Sequence, residues 1–387
     1  MTQRTLLVGQ SGGATAVTNA TLAGVVRQAQ LSGFHRILGL RHGVRGLLRG
    51  EYFDMSAMSV QKLDQLARTP SAALGTARMK MNDADLERAS VLLSELDCED
   101  MVLIGGNDSA DTALRLHAID AGVRVVLAPK TVDNDLPETD HCPGYPSAAT
   151  YFATLVRNAT YDSLSAPDLY PVKVIDAMGR DAGWLTAAAT LAFSDEEEDL
   201  WPLLMLPERP PQDAEEVLAL IEAALDERGW VVCIMPETMR DAHGRHLSGD
   251  APAYVDPFGH AYRMPPAVTL AASLQSRLGI QARFERPGSA VRMWQSSFDR
   301  EEARAIGEAA VLRLQEGQSG VMVTIERNEQ FSFGTCPLES VANLLRPLDD
   351  HFIAPGGHAV TAAFRDYARP LLGEDAFPAY LRLTRDG

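Results

Sequence analysis

Positions 129 to 135 read Pro129-Lys130-Thr131-Val132-Asp133-Asn134-Asp135, a cation, a hydroxyl and two carboxylates in one short stretch. That mixture suits phosphate handling. A carboxylate can take the proton of an attacking sugar alcohol, an ammonium can neutralise a phosphoryl group in transit, and a second carboxylate can hold Mg²⁺. On this reading Asp133 is the base, Lys130 the neutralising cation and Asp135 the metal ligand; a plain polar turn is the alternative. Gly105-Gly106-Asn107-Asp108-Ser109 and Ser11-Gly12-Gly13 set small residues and backbone N–H groups where a helix N-terminus can receive a phosphate. A tight packing turn is the alternative for Ser11-Gly12-Gly13. Asp108 reads either as a helix cap or as a carboxylate that denies a further phosphate its place. Like charges roughly 4 Å apart near a surface repel by a few kcal/mol, enough to reject a ligand.

All three stretches follow short apolar runs that read as buried parallel strands, at 4–9, 101–104 and 123–128. They therefore fall at the carboxyl ends of strands, where open α/β sheets bind their ligands. Strands alternate with helical runs along the chain, the signature of βαβ units. Helices are expected near 16–32, 108–121, 147–164, 182–193, 213–228, 265–277 and 300–316. Asn82 and Asp83 look like N-cap residues for another, through about 96. Further strands are expected at 36–40, 171–175, 203–206, 230–235, 281–285 and 320–325. Residues 239–263, rich in Gly, His, Asp and Pro, read as a long surface excursion, and the acidic run 195–199 as a solvated loop.

The 387 residues suit two domains, and 46% apolar with 22% charged residues is ordinary for a globular chain. A formal net charge of −17 argues against nucleic acid as a partner, so any anionic ligand must meet locally supplied positive charge. No apolar stretch suggests a membrane span, and the N-terminus lacks a signal-peptide layout. Cys98, Cys142, Cys233 and Cys336 are widely spaced, which fits reduced thiols in a cytoplasmic protein.

Asp176-Ala177-Met178-Gly179-Arg180-Asp181-Ala182-Gly183-Trp184 again sits at a strand end before a helix. Taken alone, Arg180 reads as an ion-pair partner or as a ligand clamp. Arg283, Arg286 and Arg292 crowd a short stretch of an acidic chain, and such forked cations suit phosphate as well as surface carboxylates.

In order and approximate spacing these pieces resemble the phosphofructokinase family, from the first strand to about residue 330. Leu74-Gly75-Thr76-Ala77-Arg78 is similar to the family's Leu-Gly-Ser-x-Arg stretch, which places Arg78 near the transferred phosphate. Met178-Gly179-Arg180 matches its MGR motif, Glu237 the glutamate that holds sugar hydroxyls, and Tyr367-Ala368-Arg369-Pro370-Leu371 resembles a stretch of one branch. ATP-using bacterial members typically read Gly-Gly-Asp-Gly-Ser and Pro-Gly-Thr-Ile-Asp-Asn-Asp. Asp108 and Lys130 are instead the residues of the pyrophosphate-using type, the carboxylate imitating and excluding the α-phosphate of ATP.

The resemblance implies an α/β fold of two similar Rossmann-like three-layer α/β/α domains, with the active site in the cleft between them (the phosphofructokinase fold). Residues 1–143 plus about 288–330 would form the phosphoryl-donor domain and 144–287 the sugar-phosphate acceptor domain, on which 331–387 packs back. It implies reversible transfer from pyrophosphate to the C1 hydroxyl of fructose 6-phosphate, with Mg²⁺. Asp133, Lys130, Asp108 and Arg180 would be catalytic, and Gly12, Gly13, Arg78, Gly106, Asn107 and Ser109 would bind the donor. Thr131, Val132, Asp133, Met178, Gly179, Arg180, Glu237, Arg283 and Arg292 would bind the acceptor, and Asn107 and Asp135 the metal. A homodimer is expected, with a tetramer as the alternative.

Three departures qualify this. Asn107 replaces an Asp used near the metal, only Arg292 survives of a Gln-Arg-Gly-Gly-like stretch at Ala290-Val291-Arg292-Met293-Trp294, and Pro171 stands where a subunit-crossing Arg is expected. The alternatives are an ATP-dependent phosphofructokinase, a kinase of another sugar phosphate such as sedoheptulose 7-phosphate, or a non-catalytic regulatory homologue.

Overall fold

Apolar runs of five or six residues become strands buried on both faces, as parallel sheets require. A computed structural model describes residues 4–77, 79–119, 122–255, 261–328, 331–373, 377–378 and 380–381. The chain begins β1 (Thr5–Gln10), α1 (Thr18–Leu31), β2 (Arg36–Leu40), α2 (Val44–Arg49), β3 (Tyr52–Asp54), α3 (Val60–Arg68) and α4 (Asp83–Glu95). It continues through β4 (Cys98–Gly105), α5 (Asn107–Ala118), β5 (Arg124–Pro129) and α6 (Tyr145–Ser165). Next come β6 (Val172–Ala177), α7 (Trp184–Ala188), β7 (Leu203–Leu204), α8 (Ala214–Arg228) and β8 (Val231–Pro236). A small hairpin, β9 (Tyr254–Val255) and β10 (Ala261–Tyr262), precedes α9 (Pro266–Leu278) and β11 (Ala282–Glu285). The chain closes with α10 (Ser297–Gln315), β12 (Val321–Glu326), β13 (Ser332–Pro337) and α11 (Ala362–Leu372).

These elements form two units, Met1–Ala148 with Gly288–Pro347, and Ala149–Pro287 with Leu348–Gly387. The first holds a seven-stranded sheet in the order β13-β12-β5-β4-β1-β2-β3. Its inner strands are parallel, and β3 and β13 pair antiparallel at the two edges. Alternate strand residues feed two cores. Leu6 and Val8 join α1, α3 and α10 on one face, whereas Leu7 and Leu103 join α2, α4 and α5 on the other. Helices α1 and α10 approach until their backbones nearly touch: a Cβ on Gly24 would lie 2.0 Å from the Arg304 carbonyl, and one on Gly307 2.1 Å from that of Thr21.

The second unit holds a parallel four-stranded sheet in the order β11-β6-β8-β7, with α8 and α9 packed on its core. Trp184 there meets Phe352 and Tyr367 at centroid distances of 5.9 and 5.6 Å. Residues 332–337, expected to pack back on the acceptor domain as part of the C-terminal segment, extend the first sheet; the chain joins the second unit from Leu348.

Asn82 caps α4 through a full capping box with Asp85. Some elements differ from expectation, and the strand expected over 203–206 spans only Leu203–Leu204. The helix expected over 182–193 stops at Ala188 and continues as tighter i→i−3 turns, where the Thr190 hydroxyl bonds the Ala187 carbonyl. The acidic run is a 3-10 turn over Asp195–Leu200, whose Asp195 receives Arg365 and Arg369. Helix α10 starts at Ser297 because the Ser296 hydroxyl accepts the Asp299 amide. Among the described residues no helix is long and apolar enough to cross a membrane.

Candidate active site

Strands β1, β4 and β5 lie side by side, so the three glycine- and lysine-bearing stretches meet at the carboxyl end of the sheet. Backbone bonds join the loops: Ser11 N donates to Ile104 O at 2.9 Å, and Lys130 N to Gly105 O at 2.9 Å. Gly105 is obligatory, because a Cβ there would fall 1.9 Å from Ser109 Oγ. Helix α5 starts without a side-chain cap, and exposed Asp108 stands in its first turn. Its buried neighbour Ser109 comes next, and Thr112 Oγ1 donates to the Asp108 carbonyl.

Lys130 is 3% exposed, and its Nζ donates to Ser11 O at 3.0 Å and Gly13 O at 2.6 Å. Burial lowers its pKa to about 8; Arg292 adds to the effect, while Asp133 and Asp135 oppose it. Arg292 Nη2 lies 3.6 Å from where a Gly13 Cβ would be, so two cations flank the glycine turn. Thr76 Oγ1 fixes the other side by donating to Gly12 O at 2.6 Å. Arg78 lies outside the described residues.

The 131–135 loop is braced from within. Thr131 N donates to Pro143 O, and Thr131 Oγ1 accepts the Asp133 amide at 3.1 Å. Val132 and Asp133 are half-buried; Asn134, at φ 55°, is buried with its Oδ1 receiving the Cys142 amide. Asp135 is buried as well. Behind the loop His141 bridges Asp140 Oδ1 and Glu302 Oε2 at 2.7 Å each. Burial works to lower the pKa of this imidazole, but the two carboxylates prevail and raise it to about 9. Asn107 does not present its carboxamide to this loop. Its Oδ1 accepts the Asn343 amide at 2.7 Å, and its Nδ2 donates to Leu344 O.

In the second unit, Met178-Gly179-Arg180 leaves the end of β6. Gly179 has φ 118° and Arg180 φ 50°, and a Gly179 Cβ would meet Ala182 O at 2.6 Å. The turn therefore requires glycine and sets the Arg180 side chain outward, exposed. Glu208 Oε1 steadies the start of α7, accepting from Gly183 N at 2.8 Å and from Leu348 N at 2.7 Å. At the adjacent strand end Glu237 Oε2 receives Arg286 Nη2 at 2.7 Å. Arg283 is elsewhere: it lies opposite Lys173 in the register, stacks 3.3 Å over Tyr170 and approaches Asp162 at 3.9 Å. Three residues further on, past the end of β11, Arg286 is the cation the structure brings to Glu237. A count of strand length from Ala282 to Glu285 could have singled it out.

Asp176, which heads the strand-end stretch picked out in the sequence but is given no role there, sits 2% exposed near the end of β6 and accepts the Ala267 amide at 3.1 Å. Burial raises its pKa to about 7, with Arg286 pulling down and Glu237 pushing up.

Glycine turns, a buried lysine and paired aspartates at three parallel strand ends define a phosphoryl-transfer fold. The chain belongs to the phosphofructokinase family: the sequence model described as Phosphofructokinase matches residues 5–314. It is 37% identical to the pyrophosphate–fructose 6-phosphate 1-phosphotransferase of Xanthomonas campestris pv. campestris (strain B100), over 99% of this chain and 97% of the relative. Its counterpart of the same name from Methylococcus capsulatus (strain ATCC 33009 / NCIMB 11132 / Bath) is 34% identical, over 98% and 94%. The crystal structure of pyrophosphate-dependent phosphofructokinase from Nitrosospira multiformis superposes with a TM-score of 0.85 at 32% identity, covering 99% of this chain and 95% of that one.

Proposed function

We propose that this chain reversibly transfers a phosphoryl group from pyrophosphate to the C1 hydroxyl of fructose 6-phosphate, giving fructose 1,6-bisphosphate and phosphate. The observation that carries the donor is the pairing of Asp108 with Lys130. The Asp108 carboxylate stands in the first turn of α5, where a longer polyphosphate donor would extend. Lys130 is held against the glycine turn by two of its three N–H bonds, which leaves the third for the donor's phosphoryl oxygen. The names of the relatives agree with this donor and acceptor.

Asp133 takes the C1 hydroxyl proton, and the resulting alkoxide attacks the terminal phosphorus as the bond to the leaving phosphate breaks. Lys130 and Arg292 offset charge on the phosphoryl oxygens. Thr131 keeps Asp133 in place through its side-chain bond to the Asp133 amide. Arg180 and Glu237 receive the acceptor, and Arg286 joins them in place of Arg283.

Among the described residues there is no cluster of three metal-ligating side chains. That suits Mg²⁺, which takes one or two carboxylates and fills its shell with water and donor phosphates. Asp135 is the carboxylate we assign to it; Asn107, with both carboxamide atoms engaged, is not. The ion would neutralise pyrophosphate oxygens.

We further assign a cytoplasmic homodimer. The four free cysteines are all buried, in keeping with a reducing compartment, and edge strand β11 leaves Phe284 52% exposed for a second copy. Purified protein with Mg²⁺ and fructose 6-phosphate should form fructose 1,6-bisphosphate with pyrophosphate and not with ATP. Turnover with ATP alone would refute the donor assignment. Turnover of pyrophosphate only with another sugar phosphate, such as sedoheptulose 7-phosphate, would refute the acceptor.

A further inference from the structure

We infer that Asn343–Arg346 is a strap that positions the donor loops, with Asn343 and Arg346 as its working side chains. Asn343 N donates to Asn107 Oδ1 at 2.7 Å, Asn107 Nδ2 donates to Leu344 O, and Asn343 Nδ2 donates to Asp111 Oδ1 at 2.8 Å. These bonds fix the first turn of α5 on both sides of Asp108. Asn343 makes them from φ 59°, a left-handed conformation that asparagine tolerates better than most residues.

Three residues on, the same segment grips the other loop. Arg346 N donates to Asp135 O at 2.8 Å. Its guanidinium donates to the Thr139 carbonyl and, through Nη1 and Nη2 at 3.0 Å each, to the Asp140 carbonyl. Thr139 and Asp140 are in turn fixed to Ile325 of β12 at 2.9 Å each. One four-residue segment thus ties the helix start bearing Asp108 to the loop bearing Asp133 and Asp135. The spacing between those carboxylates is the distance a two-phosphate donor must fit. The strap therefore helps set donor geometry without touching donor or acceptor, and this role rests on the donor site proposed above.

The test uses the full chain. Arg346→Gln keeps the backbone bond to Asp135 and removes the guanidinium fork. It is expected to lower kcat with magnesium pyrophosphate roughly 10- to 100-fold, the usual consequence of a misplaced reacting group, with the acceptor KM held within about twofold. Arg346→Lys should recover part of the loss. Asn343→Gly keeps the left-handed backbone and loses the Asp111 contact, so it should have the same effect in smaller measure. Amide hydrogen exchange without substrate should quicken over 106–111 in Asn343→Gly and over 133–141 in Arg346→Gln, with β6 and β8 unchanged.

Wild-type kinetics in Arg346→Gln would overturn the proposal. So would a loss in which donor and acceptor parameters fall together while exchange over 133–141 stays as in the wild type. Should the wild-type chain not use pyrophosphate, the donor assignment falls; the strap is then judged on exchange alone, where local quickening supports it and an unchanged pattern refutes it.

Discussion

The strand ends of the two units treat charge in opposite ways. In the first, Lys130 is buried, its ammonium fixed by backbone carbonyls, and the loops around it are joined by main-chain bonds. In the second, Arg180 is exposed on a left-handed turn and Arg286 pairs with Glu237 at the surface. A pre-set cradle suits a small symmetrical donor that must be held still. Side chains that reach outward suit an acceptor read by its hydroxyls and phosphate. On the proposed assignment, donor choice rests on Asp108 and on a lysine fixed by backbone carbonyls, whereas acceptor choice rests on a few exposed side chains and is the easier to alter.

The hardest blow to the first region is Asp133→Asn, which keeps the shape and removes the base; turnover should fall by roughly 10²–10⁴. Near-normal steady-state rates would remove Asp133 from proton transfer. A pH profile comes next. In the proposed mechanism Lys130 serves only as the ammonium, and burial lowers its pKa to about 8. Activity in kcat/KM for pyrophosphate should therefore hold below pH 8 and drop about tenfold per unit above it. A profile flat to pH 10 would mean that the lysine charge is not needed.

For the second region, Arg286→Ala should raise the acceptor KM roughly ten- to a hundredfold, as loss of a charged hydrogen-bond partner does, and leave the pyrophosphate KM unchanged. Arg283→Ala should change it by less than about threefold, since exposed ion pairs contribute little. The reverse ranking of the two arginines would undo the comparison.

His141 gives a stability test. Its pKa is raised from 6.5 to about 9 by Asp140 and Glu302 against the burial that opposes them. The contribution is full below pH 6.5 and is lost as pH rises through about 9. It amounts to something on the order of 3 kcal/mol. Denaturant unfolding at pH 6 and pH 9.5 should show that loss in the wild type and much less of it in His141→Gln. The smallest effect expected is a gain: Asp108→Gly should admit weak ATP binding, visible by calorimetry. Absence of binding, with pyrophosphate use intact, would show that Asp108 is not what excludes the nucleotide.

Much of the first region is legible in the sequence because its signals are local. Glycine at a strand-to-helix turn, and lysine with two aspartates after an apolar run, keep their meaning wherever the chain goes. Strands β1, β2, β4 and β5 follow their apolar runs for the same reason. The elements α2, β3 and α3 carry no comparable signal: β3 is three exposed residues, and only Leu63 and Ala67 of α3 are buried. The resemblance to the family favours Arg283 over Arg286, although the strand expected over 281–285 already leaves Arg286 past its end; which end of the sheet each residue reaches is what the sequence does not show. The strap at 343–346 is invisible there, since its partners lie more than 200 positions away in the sequence.

The near-contact of α1 and α10 at Gly24 and Gly307 bears on how the polypeptide reaches its native state. These helices come from opposite ends of the first unit's sequence, and β12 must likewise travel back to pair with β5. A nascent chain that has emerged only to residue 287 lacks both α10 and β12, leaving one face of α1 and the free edge of β5 bare. The second unit's sheet, by then fully synthesised, can form first. Completion of the first must wait for late, sequence-distant pairings, the slow and aggregation-exposed kind of folding step.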